Sequence, residues 1–403
     1  FDRLPTPFGL VRYGVAPDHL RVKSVTKVFA ATAQSARFRF FGAVEYGIDL
    51  HLHDLERHYH QILFATGTTA DRKLGVPGEE LANVCAARDF IAWYNGHPDF
   101  QDQHFALGIP RVAVIGMGNV ALDVARMLCF TPGELARTDM HESAVSALSA
   151  SKIDEVFVLG RRGPAQAAFT PPELRELANL EGADLILRPE EIKLDATSRA
   201  ALEAGDDRAA RRNVALLEKL ADRPLTGKPR RLHLRFLASV RDFLPQENGA
   251  VGAATLIKSQ LRTSEVGTVI AEATGEVEQL PIGLIFRAIG YRGERLPGLP
   301  FDERWGVLPN DQGRLVDPGD GSTQVGMYVA GWIKRGATGV IGTNKIDAQE
   351  TVAQMLDDAK KDLILSPPEP SAEGAEATVR SSQPHYFTFK DWLLIDQLER
   401  DRG

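Results

Sequence analysis

Arg111-Val112-Ala113-Val114-Ile115-Gly116-Met117-Gly118-Asn119-Val120-Ala121 decides how this chain folds. The run up to Ile115 is short, apolar and rich in β-branched residues, the pattern of a strand buried in a parallel sheet. It runs directly into G-x-G-x-x-A. Gly116 and Gly118 let the backbone turn tightly and approach a pyrophosphate, and Ala121 lets the next helix lie close to the strand. The helix N-terminus then offers free N–H groups and a partial positive charge to the phosphates. Val120, Ala121, Val124, Ala125 and Leu128 recur at helical spacing. The glycine pattern alone also fits an ordinary turn; the strand before it and the helix after it favour a dinucleotide cradle.

Glu155-Val156-Phe157-Val158-Leu159 predicts the next strand, and Gly160-Arg161-Arg162-Gly163 follows it. A site for NAD usually carries a carboxylate at the end of this second strand, for the ribose 2′-hydroxyl, whereas arginine suits the 2′-phosphate of NADP. Guanidinium forks grip phosphate oxygens in bidentate fashion. The competing interpretation is a solvated arginine pair in a turn. Residues 131 to 151 lengthen the crossover beyond the usual spacing.

A length of 403 residues allows two domains with cores of their own. The 43% hydrophobic and 25% charged content is ordinary for a globular chain. No apolar stretch approaches the length of a transmembrane span. A net charge of −7 argues against nucleic acid as the main partner. Cys85 and Cys129 form neither a C-x-x-C pair nor a metal cluster, so no metal site is expected and a reducing compartment is. The chain opens on Phe1 without a signal peptide and reads as starting partway through a larger pattern.

Further along, the strand-like run from Tyr59 ends in Ala65-Thr66-Gly67, a junction typical of chains that carry two dinucleotide domains. A charged helical region spans about 170 to 222, and strand-like runs follow near 231–237, 252–263 and 266–273. Gly283 to Tyr291 and Met327 to Trp332 read as two more strands. A helix is predicted from 344 to about 361, capped by Thr343 or Asn344, with Ile346, Val352 and Leu356 turned inward. The Pro/Ser/Ala/Glu-rich stretch 366–384 reads as a loose linker. The tail from 385 to 399 reads as an aromatic strand-turn followed by a helix.

Four segments carry a family resemblance: PTPFGLVRYGVAPDH at 5–19, GMGNVALDVAR at 116–126, GRRGP with FTPPELRE between 160 and 176, and GWIKRGATGVIGTNK at 331–345. In this order they resemble the adrenodoxin reductase family of ferredoxin–NADP(+) reductases over nearly the whole chain. The resemblance implies an α/β fold with two Rossmann-like domains. A discontinuous FAD domain would span 1–69 and 325–403, and an NADP domain 70–324. It implies hydride transfer from NADPH to FAD, then single electrons passed to a ferredoxin-type iron–sulfur protein. Asp2 matches the acidic residue for the FAD ribose, and Leu10 and Val44 match flavin contacts. Trp332, Gly339, Val340 and Ile341 match the stretch around the isoalloxazine ring, Gly339 also touching the nicotinamide. Asn119, Val120, Arg161, Arg162 and Glu173 match NADP contacts, and His19, Asp123 and Glu173 are the polar residues expected beside the reacting rings. Their roles would be to supply protons and orient the carboxamide.

Two departures stand out. Met117 replaces the family's usual glutamine, and the first Gly-rich FAD motif is missing, so the sequence is expected to be a fragment of a longer product. A basic docking face for an acidic ferredoxin is expected among Arg175, Arg211, Arg212, Arg230, Arg231 and Arg235. Bacterial cytoplasm is expected ahead of mitochondrial matrix. Two alternatives stay open: an NADPH-flavin subunit like that of glutamate synthase, and a flavin-free NADP-binding sensor or scaffold.

Overall fold

The computed structural model describes residues 1–265, 267–339 and 341–402, the side chain of Ile341 excepted. The chain forms two compact units. The first contains Phe1–Arg12, Ser24–Arg72 and the chain from Gly290 onward; the second contains Tyr13–Lys23 and Lys73–Ile289. The return to the first unit comes at 290, earlier than the 325 expected. Residues 310–316 form very short strands that pair with the strand ending at Val329, and strands of two or three residues leave no periodicity to read. Residues 13–23, with His19, belong to the second unit.

The first unit contributes β1 (Ile62–Phe64) before the second unit resumes at Lys73. There β2 (Val84–Ala86), β3 (Arg111–Ile115), β4 (Glu155–Leu159), β5 (Ala183–Leu187), β6 (Arg230–Arg235) and a later strand, β10 (Leu284–Arg287), build one parallel sheet. Its order is β2-β10-β3-β4-β6-β5. Helix α1 (Asn119–Cys129) follows β3, and α2 (Pro171–Ala178) lies between β4 and β5. An antiparallel sheet of β7 (Ala238–Pro245), β8 (Val251–Thr263) and β9 (Val269–Pro281) completes the unit.

Alternation along the strands explains the layering. Val112, Val114, Val156 and Val158 face a core with Leu122 and Leu128 of α1, while Ala113, Ile115, Phe157 and Leu159 face Phe243, Val251 and Leu256 of the antiparallel sheet. The parallel strands are therefore apolar on both faces. Each fully buried valine or leucine contributes about 1.5–3 kcal/mol. Cys129 is buried in this core and Cys85 is partly buried; both thiols are free.

The first unit resumes with β11 (Asn310–Asp311), β12 (Arg314–Val316) and β13 (Thr323–Val329), in sheet order β1-β13-β12-β11, with β1 and β13 parallel. Helix α3 (Ile341–Lys360) follows and departs from expectation twice. It starts at 341, so Thr343 and Asn344 lie inside its first turn rather than capping it. The turn comes early because Gly336 and Gly339 take positive φ of 82° and 81°. Its apolar residues also face outward: Ile346 is 70% exposed, Val352 43% and Leu356 59%.

The buried face of α3 is polar. Asp347 accepts from the Gly331 amide at 2.5 Å and pairs with Lys334 Nζ at 3.1 Å. Thr351 donates to the Val329 carbonyl at 3.0 Å. Asp358 takes a bidentate pair from Arg314, both at 2.7 Å, and the Tyr328 hydroxyl at 2.9 Å. Periodicity identifies residues that share a face, but a polar face with a complete set of partners can turn inward.

The expected linker also holds a helix, α4 (Ala372–Ser382), because Ser371 caps it by accepting from the Gly374 amide at 3.0 Å and because Ala375 and Val379 reach the core. The tail folds as expected into α5 (Phe389–Asp401), begun by a Thr388–Asp391 capping box. No described helix is long and apolar enough to cross a membrane.

Candidate nucleotide site

The register of the parallel sheet brings two sequence motifs to one edge. Ile115 of β3 is level with Leu159 of β4, and the Gly116 amide donates to the Leu159 carbonyl at 2.9 Å. The Gly-rich turn and Arg161-Arg162 thus leave adjacent strands at the same C-terminal edge, where open α/β sheets bind ligands. Gly116 has φ +142°, and a Cβ there would lie 2.2 Å from the Ala288 carbonyl oxygen, so only glycine fits. A Cβ on Gly118 would meet nothing within 4 Å. Space is therefore open in front of the α1 N-terminus, which begins at Asn119.

Asn119 Oδ1 accepts from the Thr170 amide at 2.8 Å, tying the loop before α2 to the cradle. Val120 packs its side chain against the core. Met117 lies against Gly160, where a Cβ would come within 2.4 Å of its Cε. Arg161 and Arg162 are exposed, and among the described residues neither has a carboxylate within ion-pair distance. Partial desolvation, and then the charge of Arg161, push the Arg162 guanidinium below its ordinary range. Two adjacent cations without a counter-ion suit an anionic group.

His19, Asp123 and Glu173 come together in the second unit around a residue that sequence reasoning missed. Arg126 is 1% exposed. It donates to Asp18 at 2.8 and 3.1 Å, to Asp123 at 2.7 Å and to Glu173 at 3.0 Å, and lies 3.3 Å from Glu176. His19 Nε2 is 2.9 Å from Glu176 Oε2 and 3.8 Å from Glu173. Burial, reinforced by Glu173, raises the Asp123 carboxyl to about 6 against the pull of Arg126. The Glu176 hydrogen bond raises His19, and the same bond lowers Glu176. Burial disfavours the charged form of Arg126, yet Asp123 and Asp18 outweigh it and raise its pKa.

Two triads here, Asp18–His19–Glu176 and His19–Asp123–Glu173, bring ligand atoms within 4.8 Å of one another. Arg126 already supplies the positive charge to both. Arg126 and Glu176 left a partial signal: Asp123 with Arg126, and Glu173 with Glu176, are three apart on their helices and so share a face, whereas Asp18, on neither helix, left none.

In the first unit Asp2 and Val44 are joined by backbone: the Asp2 amide donates to Phe41 and the Val44 amide to Asp2, both at 2.9 Å. Burial raises the Asp2 carboxyl, which accepts from the Leu4 amide at 2.9 Å. The Val44 side chain is buried in the core, whereas Leu10 is 42% exposed on a short helix. Trp332 stacks on Tyr291 with ring centroids 5.9 Å apart. Among the described residues, its indole N–H and the Thr68 hydroxyl are buried without a hydrogen-bond partner. Both lie just beyond the C-terminal ends of β1 and β13, which are parallel neighbours. Gly339 has φ +81° and a Cβ there would sit 2.7 Å from Thr343 Oγ1. Val340 and the side chain of Ile341 lie outside the described residues.

Two of the expected docking arginines are engaged internally. Arg235 is 4% exposed, because Glu191 (2.8 Å) and Glu278 (2.7 Å) neutralise it under the sheet. Arg230 is half-buried and donates to the carbonyls of Ile153 and Phe130. Arg175, Arg211, Arg212 and Arg231 are exposed, although Arg211 also donates to the carbonyls of Leu202 and Gly205 and Arg231 lies 3.6 Å from Glu155.

A glycine-cornered parallel edge in one unit and orphaned donors above parallel strands in the other are the marks of a two-domain, dinucleotide-binding α/β protein. Within that class the chain belongs to the family of NADPH–ferredoxin and NADPH:adrenodoxin reductases. It is 44% identical over 406 residues to the NADPH-ferredoxin reductase FprA of Mycobacterium tuberculosis, covering 100% of this chain and 87% of that protein. It is 40% identical over 412 residues to the mitochondrial NADPH:adrenodoxin oxidoreductase of Arabidopsis thaliana, covering 100% and 85%. The solved structure of M. tuberculosis FprA in complex with NADPH matches with a TM-score of 0.91 and 42% identity, covering 100% and 87%. No protein-family model matches the chain.

Proposed function

We propose that the chain is a flavin-dependent reductase that draws hydride from NADPH and passes single electrons to a ferredoxin-type iron–sulfur protein. The observation that carries this reading is the arginine pair: two exposed guanidiniums without carboxylate partners among the described residues, level with a turn in which Gly116 admits no side chain. The second unit would hold NADPH. Gly116, Gly118 and the first amides of α1 would take the pyrophosphate, and Arg161 and Arg162 the 2′-phosphate. Asn119, Val120 and Glu173 would shape the edge, Asn119 mainly by fixing the loop it already holds.

The first unit would hold FAD. Asp2 would take the ribose. The buried N–H of Trp332 and hydroxyl of Thr68 offer polar atoms that a ligand would satisfy, and Gly339, Val340 and Ile341 would adjoin the ring. Leu10 is open to contact, whereas Val44 would contribute through its backbone, since its side chain is in the core. A bound flavin supplies the conversion between two-electron and one-electron transfer that neither NADPH nor an iron–sulfur centre makes alone. His19, with Glu176, would hold and move a proton at Nε2, and Asp123 and Glu173 would set the charge around it.

Arg175, Arg211, Arg212 and Arg231 remain as the basic residues for an acidic partner, and turnover should then be salt-sensitive. We place the chain in a reducing compartment, bacterial cytoplasm ahead of mitochondrial matrix, in keeping with two free thiols.

The test is a visible spectrum of the chain incubated with FAD, followed by anaerobic NADPH and then oxidised ferredoxin. Flavin bands should bleach with NADPH and return with ferredoxin. A protein that binds FAD but does not bleach with NADPH refutes the proposal.

A further inference from the structure

The buried cluster holds a conflict at one atom. Nε2 of His19 lies 2.9 Å from Oε2 of Glu176 and 3.0 Å from Nη2 of Arg126. A ring nitrogen that carries a proton donates; a bare one accepts; it does not do both. With the proton on Nε2, the ring donates to Glu176, and Nη2 of Arg126 spends its protons on Asp123 at 2.7 Å and Asp18 at 3.1 Å. With Nε2 bare, the nitrogen accepts from Nη2 of Arg126, and Glu176 keeps Nη1 of the same arginine at 3.3 Å. Nη2 carries two protons, so in the second state Asp18 gives up its 3.1 Å bond and keeps Nε of Arg126 at 2.8 Å, and every carboxylate of the cluster still has a donor or an ion-pair partner in both states.

We propose that Arg126 is a positioning residue that makes Nε2 of His19 a two-state proton site, donating to Glu176 in one state and accepting from Arg126 in the other. The neutral ring is then held as the Nδ1–H tautomer. Proton uptake forms one N–H bond at Nε2 and gives the imidazolium; release breaks that bond, and the proton leaves to solvent or to a group docked at the ring. The groups facing the ring are Asp18 from the segment before it, Asp123 and Arg126 from α1, and Glu173 and Glu176 from α2. With a neutral ring the four carboxylates and one guanidinium leave the cluster anionic, which favours uptake. The inference rests on the reading that His19 serves the NADPH reaction, but its first test does not depend on that reading.

That test is imidazole ¹⁵N NMR of the full chain with labelled histidine, His19 assigned through His19→Gln, titrated in wild type, Arg126→Lys and Glu176→Gln. In wild type at high pH, Nε2 should show the shift of an accepting nitrogen and Nδ1 that of a protonated one. Arg126→Lys keeps the charge and loses the fork, so the neutral ring should become a mixture of tautomers. Glu176→Gln changes a half-exposed residue and should lower the His19 midpoint by about one pH unit while leaving the Nδ1–H tautomer in place. A neutral wild-type ring that is Nε2–H, or a tautomer unchanged in folded Arg126→Lys, overturns the inference. If Arg126→Lys does not fold, the wild-type tautomer and the Glu176→Gln midpoint decide it. The pH profile of NADPH-driven ferricyanide reduction separates the two ideas: if ring and profile shift together, both stand, and if only the ring shifts, the inference stands and the catalytic reading of His19 fails.

Discussion

Replacing Arg161 and Arg162 together with alanine should damage NADPH use far more than NADH use. Both guanidiniums are exposed and carry no ion pair that would have to break before a phosphate is gripped. A charge-assisted hydrogen bond contributes about 1.5–3 kcal/mol, and solvent at this edge places each nearer the lower figure. Two neighbours sharing one anion are not additive, so the pair together should contribute about 2–3 kcal/mol. At about 1.4 kcal/mol per decade this is roughly a 30- to 150-fold loss of kcat/KM for NADPH. NADH has no 2′-phosphate, and its kcat/KM should change by less than about threefold. The assay is anaerobic reduction of ferricyanide with each nucleotide, with circular dichroism confirming that the variant is folded. A folded double variant whose NADPH/NADH ratio stays within about threefold of wild type would refute the phosphate clamp. Arg161→Lys with Arg162→Lys should fall between the two, since lysine keeps the charge but loses the fork.

Gly116→Ala should destabilise the second unit by about 3 kcal/mol, from a positive φ and from overpacking against the Ala288 carbonyl; an unchanged urea midpoint would show that the turn accepts a Cβ. For His19, the Glu176 bond raises the folded pKa above the ordinary 6.5, so its stabilisation is complete below that value and is lost as pH rises through the folded one. The stability gap between wild type and His19→Gln should therefore narrow as pH rises above the ordinary 6.5, and a gap independent of pH would contradict that sign.

Four of the six strands of the parallel sheet were legible because strands buried on both faces leave unbroken apolar runs, and because glycine and arginine at strand ends mark the edge chemically; the three-residue Val84–Ala86 was too short to show, and Ala183–Leu187 lies inside the stretch expected to be helical. The Arg126 cluster was legible only in halves. Helical spacing pairs Asp123 with Arg126 and Glu173 with Glu176, but the two helices meet across 47 residues, and His19 reaches Glu176 across 157. Nothing local encodes which faces will meet. The same holds for Arg235, whose partners Glu191 and Glu278 lie 44 and 43 residues away in opposite directions along the chain and turn an apparent surface charge into a buried one. Helix α3 misled for a different reason: its apolar spacing is real, but Asp347, Thr351 and Asp358 find full sets of partners on the inner side.

Stability alone does not account for four carboxylates gathered on one buried arginine. A buried ion cluster loses in desolvation much of what it gains in attraction, and apolar packing of the same volume is often as stable or more so. Apolar packing was available here: Val124, Leu128, Leu174 and Leu177 of the same two helices are fully or almost fully buried. What an apolar core could not do is exchange protons near neutral pH. Burial holds Asp123 up at about 6, and the Glu176 bond raises His19 above the ordinary 6.5. The hypothesis that follows is that the cluster is kept for its protons and not for its stability. It predicts that Arg126→Lys, even where it leaves the melting temperature unchanged, alters the tautomer of His19; a variant that loses stability and keeps the wild-type tautomer would assign Arg126 to the fold alone.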